Sequence, residues 1–195
     1  MVSLGEYRLE NQTYKWKHFC GGAIIAKFVV LSASHCFFGP DYYLTDAQIR
    51  VGDQNFTDQT DNNWAKTYDI KTIIKHPQYI RGAARNDLAL LITEEEIEFN
   101  VKVNSVDLPS ATNPILDGST NQSAKFSGWG YFNGSMIVSE ALRATNFTIF
   151  TGEYCEQHFN HSGVKNNLRN TTIMFCAGTD VCIARLFNKK HYIKI

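Results

Sequence analysis

An all-β fold, either a sandwich or a barrel, is the class this sequence predicts, and three observations predict it. Its apolar residues fall in short runs rich in Val, Ile, Phe and Tyr, with Gly, Asn, Asp and Pro between them. Runs of that length bounded by turn formers read as strands rather than helices. Apolar content of 44% with 13% aromatics in 195 residues supports a packed core and argues against disorder. No apolar run approaches the length of a membrane-spanning helix.

The elements follow in chain order. Ala23–Ala26 and Phe28–Ser32 read as two strands, with Lys27 between them in a tight hairpin turn. Gln48–Gly52, Tyr68–His76 and Leu88–Thr93 come next, rich in β-branched residues. The stretch from Leu108 to Pro114 reads as a linker, because its prolines cannot continue a ladder. Beyond it lie Ala124–Trp129, Leu142–Phe150 and Met174–Ala177. Thr151 is placed to cap a short helix running to about Phe159, with Glu153 in its first turn. The sequence shows no internal repeat.

Charge and cysteine usage narrow the function classes. Nineteen basic and nineteen acidic residues give zero net charge, with no basic stripe, so no nucleic-acid partner is expected. No membrane partner is expected either. Five cysteines leave one thiol over after pairing. Seven N-x-[ST] sequons start at Asn11, Asn55, Asn121, Asn133, Asn146, Asn160 and Asn170. Chance at this Ser and Thr frequency supplies roughly two, so a secreted, glycosylated surface in an oxidising compartment is expected. The first ten residues lack the charged and apolar regions of a signal peptide, so a leader is expected to have been removed or to be missing.

Several motifs, weak singly, fall in one order. His18-Phe19-Cys20-Gly21-Gly22 leads through an apolar hairpin to Ser34-His35-Cys36. Ile49-Arg50-Val51-Gly52, His76-Pro77, Asn86-Asp87-Leu88-Ala89-Leu90-Leu91 and Val106-Asp107-Leu108-Pro109 follow. Ser127-Gly128-Trp129-Gly130 and Phe175-Cys176-Ala177-Gly178 complete the series. Together they resemble the trypsin-like (chymotrypsin-family) serine proteases across almost the whole chain to Cys182. The resemblance implies a double Greek-key β-barrel. It makes His35 the general base and Asp87 the carboxylate that orients it, which suits the chemistry. A hydroxyl nucleophile needs an imidazole to take its proton, and the imidazole needs a buried carboxylate to fix its tautomer. It further implies disulfides Cys20–Cys36 and Cys155–Cys176, and casts Asp180 as the pocket carboxylate that pairs a substrate Arg or Lys.

The pattern breaks after Cys182. In the family the nucleophilic serine stands four residues beyond the matching cysteine, and here that position is Leu186. Ala184 and Arg185 occupy the oxyanion-hole glycine and adjacent aspartate positions, and Cys182 is the odd thiol. Ser32, Ser34 and Ser162 lack the sharp turn with backbone donors that presents a nucleophile. Met1-Val2-Ser3-Leu4 resembles the family's first internal strand, so the Ile-Val-x-Gly terminus is absent. Asp53, Asn55 and Asp61 resemble a calcium-binding loop of some members, but a solvated polar loop is the reading adopted, with no metal and no cofactor.

The expected organisation is a first barrel at residues 1–110, a partial second barrel at 111–182 and a divergent tail at 183–195. The second half should have open edges and exposed apolar faces. The chain should be a monomer whose partners are protein or peptide substrates, or members of a protease pathway. Its family function is endopeptidase cleavage after Arg or Lys, and the chain itself is expected to be inactive. Two non-catalytic origins compete: a truncated protease product, the favoured one, and a secreted pseudo-protease acting as a binding module.

Overall fold

The computed structural model describes residues 1–37, 46–57, 64–81, 86–108, 122–131, 138–151 and 176–178. Through them run β1 (Val2–Glu10), β2 (Thr13–Ala26), β3 (Val29–Ser32), β4 (Gln48–Val51), β5 (Lys66–Lys75) and β6 (Ala89–Thr93). They are followed by β7 (Gln122–Gly128), β8 (Arg143–Phe150) and β9 (Cys176–Gly178). The first six strands close an antiparallel barrel in the order β1-β2-β3-β6-β5-β4. β6 returns beside β3, while β4 and β5 fold back so that β4 pairs with β1. Closure leaves this barrel without a free sheet edge. Among the described residues the second half is a three-stranded sheet, β7-β8-β9, which does not close. No helix among the described residues is long and apolar enough to cross a membrane.

Alternation along the strands fills the barrel. β4 sends Ile49 and Val51 inward, and β6 sends Ala89, Leu91 and Thr93. Val2 and Leu4 of β1, Ile24 of β2 and Val30 of β3 meet them, and Phe37, Tyr68, Ile97 and Val103 complete the core. Leu4, Ile49 and Leu91 have no exposed surface. Burial of each contributes about 1.5–3 kcal/mol. The chain after β6 is strapped across the β2–β3 hairpin, where Ile97 N donates to Lys27 O and Val106 N to Ile24 O.

The first strand pair departs from the sequence reading. Ala23–Ala26 is only the end of β2, a 14-residue strand whose earlier part pairs with β1. Periodicity missed this because the outer half of the hairpin is open to solvent on both faces, where even Leu9 and Tyr14 are exposed. Its turn is a two-residue loop with Asn11 at φ 49° and Gln12 at φ 64°. Positive φ at both central positions is the type I′ geometry that matches strand twist. Gly5 sits at a register shift, where an added Cβ would lie 2.5 Å from Lys17 O and 2.6 Å from the Trp16 ring. Lys27 is part of the next hairpin's turn, as expected; Phe28 shares that turn, so β3 starts at Val29 rather than Phe28. Tyr68–His76 is observed as Lys66–Lys75, and the last strand, expected at Met174–Ala177, is described as Cys176–Gly178. The helix expected after Thr151 lies outside the described residues.

Candidate active site

β3 ends at Ser32, and a single turn of 3₁₀ helix, Ser34–Phe37, carries His35 off the barrel. Asp87 arrives just before β6, the neighbour of β3, so one strand pairing brings together residues 52 apart in sequence. Asn86 makes the turn possible by taking φ 56°, a conformation Asn tolerates. Asn86 Nδ2 donates to Gln78 O, and His76 N to Leu88 O, anchoring the approach to Asp87.

Asp87 grips His35 with both oxygens. Oδ1 accepts from the backbone N–H of His35 at 2.8 Å, and Oδ2 lies 2.8 Å from its Nδ1. The Asp87 side chain is 3% exposed and that of His35 is 50% exposed. A desolvated carboxylate on Nδ1 fixes the proton there and turns Nε2, as the acceptor, toward the open side. Ser34 Oγ donates to Leu88 O at 2.5 Å, tying the His35 turn to the Asp87 strand a second time. Ser34 was weighed in the sequence as a nucleophile; here it is fully buried and its hydroxyl holds the site together. Cys20 and Cys36 form a disulfide that pins the same turn to β2, with Cα atoms 6.1 Å apart.

A second polar cluster, missed in the sequence, lies on the other face of β1. Trp16 Nε1 donates to Ser3 Oγ at 2.8 Å, and Ser3 Oγ lies 2.8 Å from His18 Nδ1. Ser3 Oγ thus accepts from Trp16 and shares one proton with His18 Nδ1. The His18 ring stacks on Phe56 at 5.9 Å and meets Trp129 at 5.6 Å, and Phe56 stacks on Trp129 at 5.1 Å. Burial between these rings pushes His18 down to about 4. Trp129 Nε1 is buried and finds no acceptor among the described residues. This aromatic seam joins the barrel to the second sheet. The join is reinforced by Phe56 N donating to Glu140 O and Leu142 N donating to Gln54 O.

The loop after β4 corrects another expectation. Asp53 is 7% exposed, so it does not belong to a solvated loop. Its Oδ2 lies 2.6 Å from Arg50 Nη2, and its Oδ1 accepts from Asn55 N at 2.8 Å. Arg50 in turn covers the Tyr7 and Trp16 rings. A guanidinium thus neutralises the carboxylate that a calcium ion would need. Asn55 is drawn into the same region, its Oδ1 accepting from both Thr57 N and Thr57 Oγ1. Asn11 and Asn146 are exposed, on the hairpin tip and on β8. Asp61, Asn121, Asn133, Asn160 and Asn170 lie outside the described residues. So do Cys155, Asp180, Cys182, Ala184, Arg185 and Leu186; Cys176 is placed by its backbone in β9.

The family model described as Trypsin matches residues 5–183. A venom serine protease of Polistes dominula is 32% identical over 166 residues, covering 84% of this chain and 57% of that protein. Ovochymase of Halocynthia roretzi is 37% identical over 136 residues, 67% of this chain and 8% of that protein. A trypsin of Xenopus laevis is 30% identical over 162 residues, 83% of this chain and 58% of that protein. The chain therefore spans a little over half the length of the wasp and frog proteins it matches.

Proposed function

The chain belongs to the trypsin family of serine proteases, and from that premise we propose that it carries the acid–base half of the family's triad without the nucleophile. Members of this family act on protein or peptide substrates. Those of the lineage this chain comes from are cut after Arg or Lys, with Asp180 as the carboxylate that pairs the cationic side chain. The observation that carries the reading is the contact of His35 Nδ1 with buried Asp87 Oδ2 at 2.8 Å.

His35 Nε2 is the base. In a complete triad it takes the serine proton as the hydroxyl attacks the carbonyl carbon, then returns that proton to the leaving amine. Asp87 stabilises the imidazolium between those two transfers, and its low exposure keeps water from competing. In this chain Leu186 stands at the nucleophile position and offers no proton and no lone pair. Ala184 and Arg185 replace the neighbouring glycine and aspartate. The members of a triad act as a unit, so losing the nucleophile removes most of the rate enhancement that the His35–Asp87 pair supports. The chain is inactive as a peptidase.

A fluorophosphonate probe and an Arg-ester substrate test this. The purified chain should neither be labelled nor turn over ester above buffer. Turnover that disappears in His35→Ala overturns the reading.

Binding without cutting is the second reading, and the exposed outer half of the β1–β2 hairpin favours it. Leu9 and Tyr14, 61% and 69% exposed, present apolar surface for a protein or peptide partner. We place the chain outside the cell as a glycosylated monomer. The Cys20–Cys36 disulfide and the exposed sequon asparagines Asn11 and Asn146 support that placement. A mobility shift on treatment with a peptide-N-glycosidase checks the sugars. Elution at the mass of one chain checks the monomer.

A further inference from the structure

We propose that an N-linked glycan on Asn11 folds back onto an apolar strip at the end of the β1–β2 hairpin and covers it. The proposal rests on the glycosylated, extracellular reading given above. The strip follows from the register. Leu9 stands opposite Tyr14 and Tyr7 opposite Trp16, so alternation puts all four side chains on one face of the ribbon. Exposure rises outward along it, from 7% at Trp16 through 44% at Tyr7 to 61% at Leu9 and 69% at Tyr14. Arg50 lies over the Tyr7 and Trp16 rings and donates to the Tyr7 hydroxyl, which covers the inner end.

The outer end is a two-stranded ribbon. β4 pairs with β1 only at Ser3–Gly5, and β3 pairs with β2 only from Ala23 onward. A ribbon of two strands is marginally stable in water, and packing against one face supports it.

Asn11 supplies the cover at that end. It heads the sequon Asn11-Gln12-Thr13 and sits in the two-residue turn itself, with all three residues exposed. Asn55, by contrast, is half-buried, and its carboxamide oxygen accepts from Thr57 N and Oγ1. Attachment joins Asn11 Nδ2 to the anomeric carbon of the first sugar. Nδ2 gives up one proton, and the lipid pyrophosphate carrier of the oligosaccharide is the leaving group. Leu9 and Tyr14 flank the turn that holds Asn11, so both are neighbours of that first sugar. It is an N-acetylglucosamine, with an apolar C–H face and an acetamide methyl. C–H groups pack on the electron-rich face of an aromatic ring, and burial of the methyl adds to the attraction. Sugar and partner then compete for one surface. With Asn11 occupied the strip is closed to the protein or peptide of the binding reading, and with Asn11 bare it is open.

The full chain, secreted by a eukaryotic host, is mapped by mass spectrometry for sugar at Asn11. Hydrogen exchange over residues 6–17 is then compared before and after stripping with a peptide-N-glycosidase. Thr13→Val, which ends the sequon and keeps both turn residues, is the unmodified reference. Stripping and Thr13→Val should each speed exchange there by about fivefold, with β4 and β6 unchanged. In the double variant Leu9→Ser, Tyr14→Ser, stripping should change nothing. Sugar at Asn11 with equal exchange before and after stripping overturns this proposal alone, as does an effect that survives in the double variant. A bare Asn11 overturns it together with the glycosylation reading at that residue. Protection of the untreated chain that rises with its concentration assigns the strip to a second copy and overturns the proposal as well.

Discussion

Acid should loosen the seam between barrel and sheet through one residue, His18. In the folded chain burial between Phe56 and Trp129 pushes its pKa from 6.5 down to about 4. Unfolding releases the ring to water, where it takes up a proton near pH 6.5. The unfolded state therefore binds more protons between these two values, so stability is complete above pH 6.5 and falls as pH falls. The loss is about 1.4 kcal/mol at pH 5.5 and about 3 kcal/mol at pH 4, below which it levels off. The groups facing His18 are the Ser3 hydroxyl and the Phe56 and Trp129 rings, none of which changes charge in this range. The comparison is with His18→Asn, whose side-chain amide can replace Nδ1 as Ser3's hydrogen-bond partner and does not titrate. Guanidinium unfolding followed by tryptophan fluorescence, at pH 7.5, 5.5 and 4, gives both stabilities. The advantage of the parent chain over the variant should shrink by about 3 kcal/mol across that range. Parallel pH profiles refute the argument.

Three further substitutions test other features. Gly52→Ala should cost at least about 2 kcal/mol, because the position has φ 71° and a new Cβ would lie 2.0 Å from Trp64 O. Gly130→Ala, where nothing lies within 4 Å, is the near-neutral control by thermal melting. Arg50→Met should cost about 3–5 kcal/mol, since it strands Asp53, whose side chain is 3% exposed, without its counter-charge. Adding Asp53→Leu to that variant should recover part of the loss in the same denaturation assay. Gln12→Gly should add roughly 0.5 kcal/mol, because Asn-Gly suits a type I′ turn better than Asn-Gln. A fall in melting temperature there would show that the turn is held by other contacts.

Local pattern carried the strands whose faces differ and missed those whose faces do not. β4 and β6 alternate buried and half-buried positions, and the sequence reads them as strands over 48–52 and 88–93. The outer hairpin of β1 and β2 is open to solvent on both sides, so only the pairing of Glu10 with Thr13 defines it. His35 and Asp87 were found through their neighbours, because each sits in a motif whose order along the chain is informative. His18 and Trp129 also stand in quoted motifs, but their contact spans 111 residues and leaves no periodic trace. Asp53 was misread because a carboxylate in an Asn- and Asp-rich loop looks solvated until Arg50, three residues upstream, is seen to cover it.

The two-oxygen hold of Asp87 on His35 has an evolutionary reading. One oxygen binds the main chain and the other the ring, so the imidazole is aimed by the barrel itself. Both contacts lie within the first barrel. The aim of the imidazole is thus inherited with the first barrel alone.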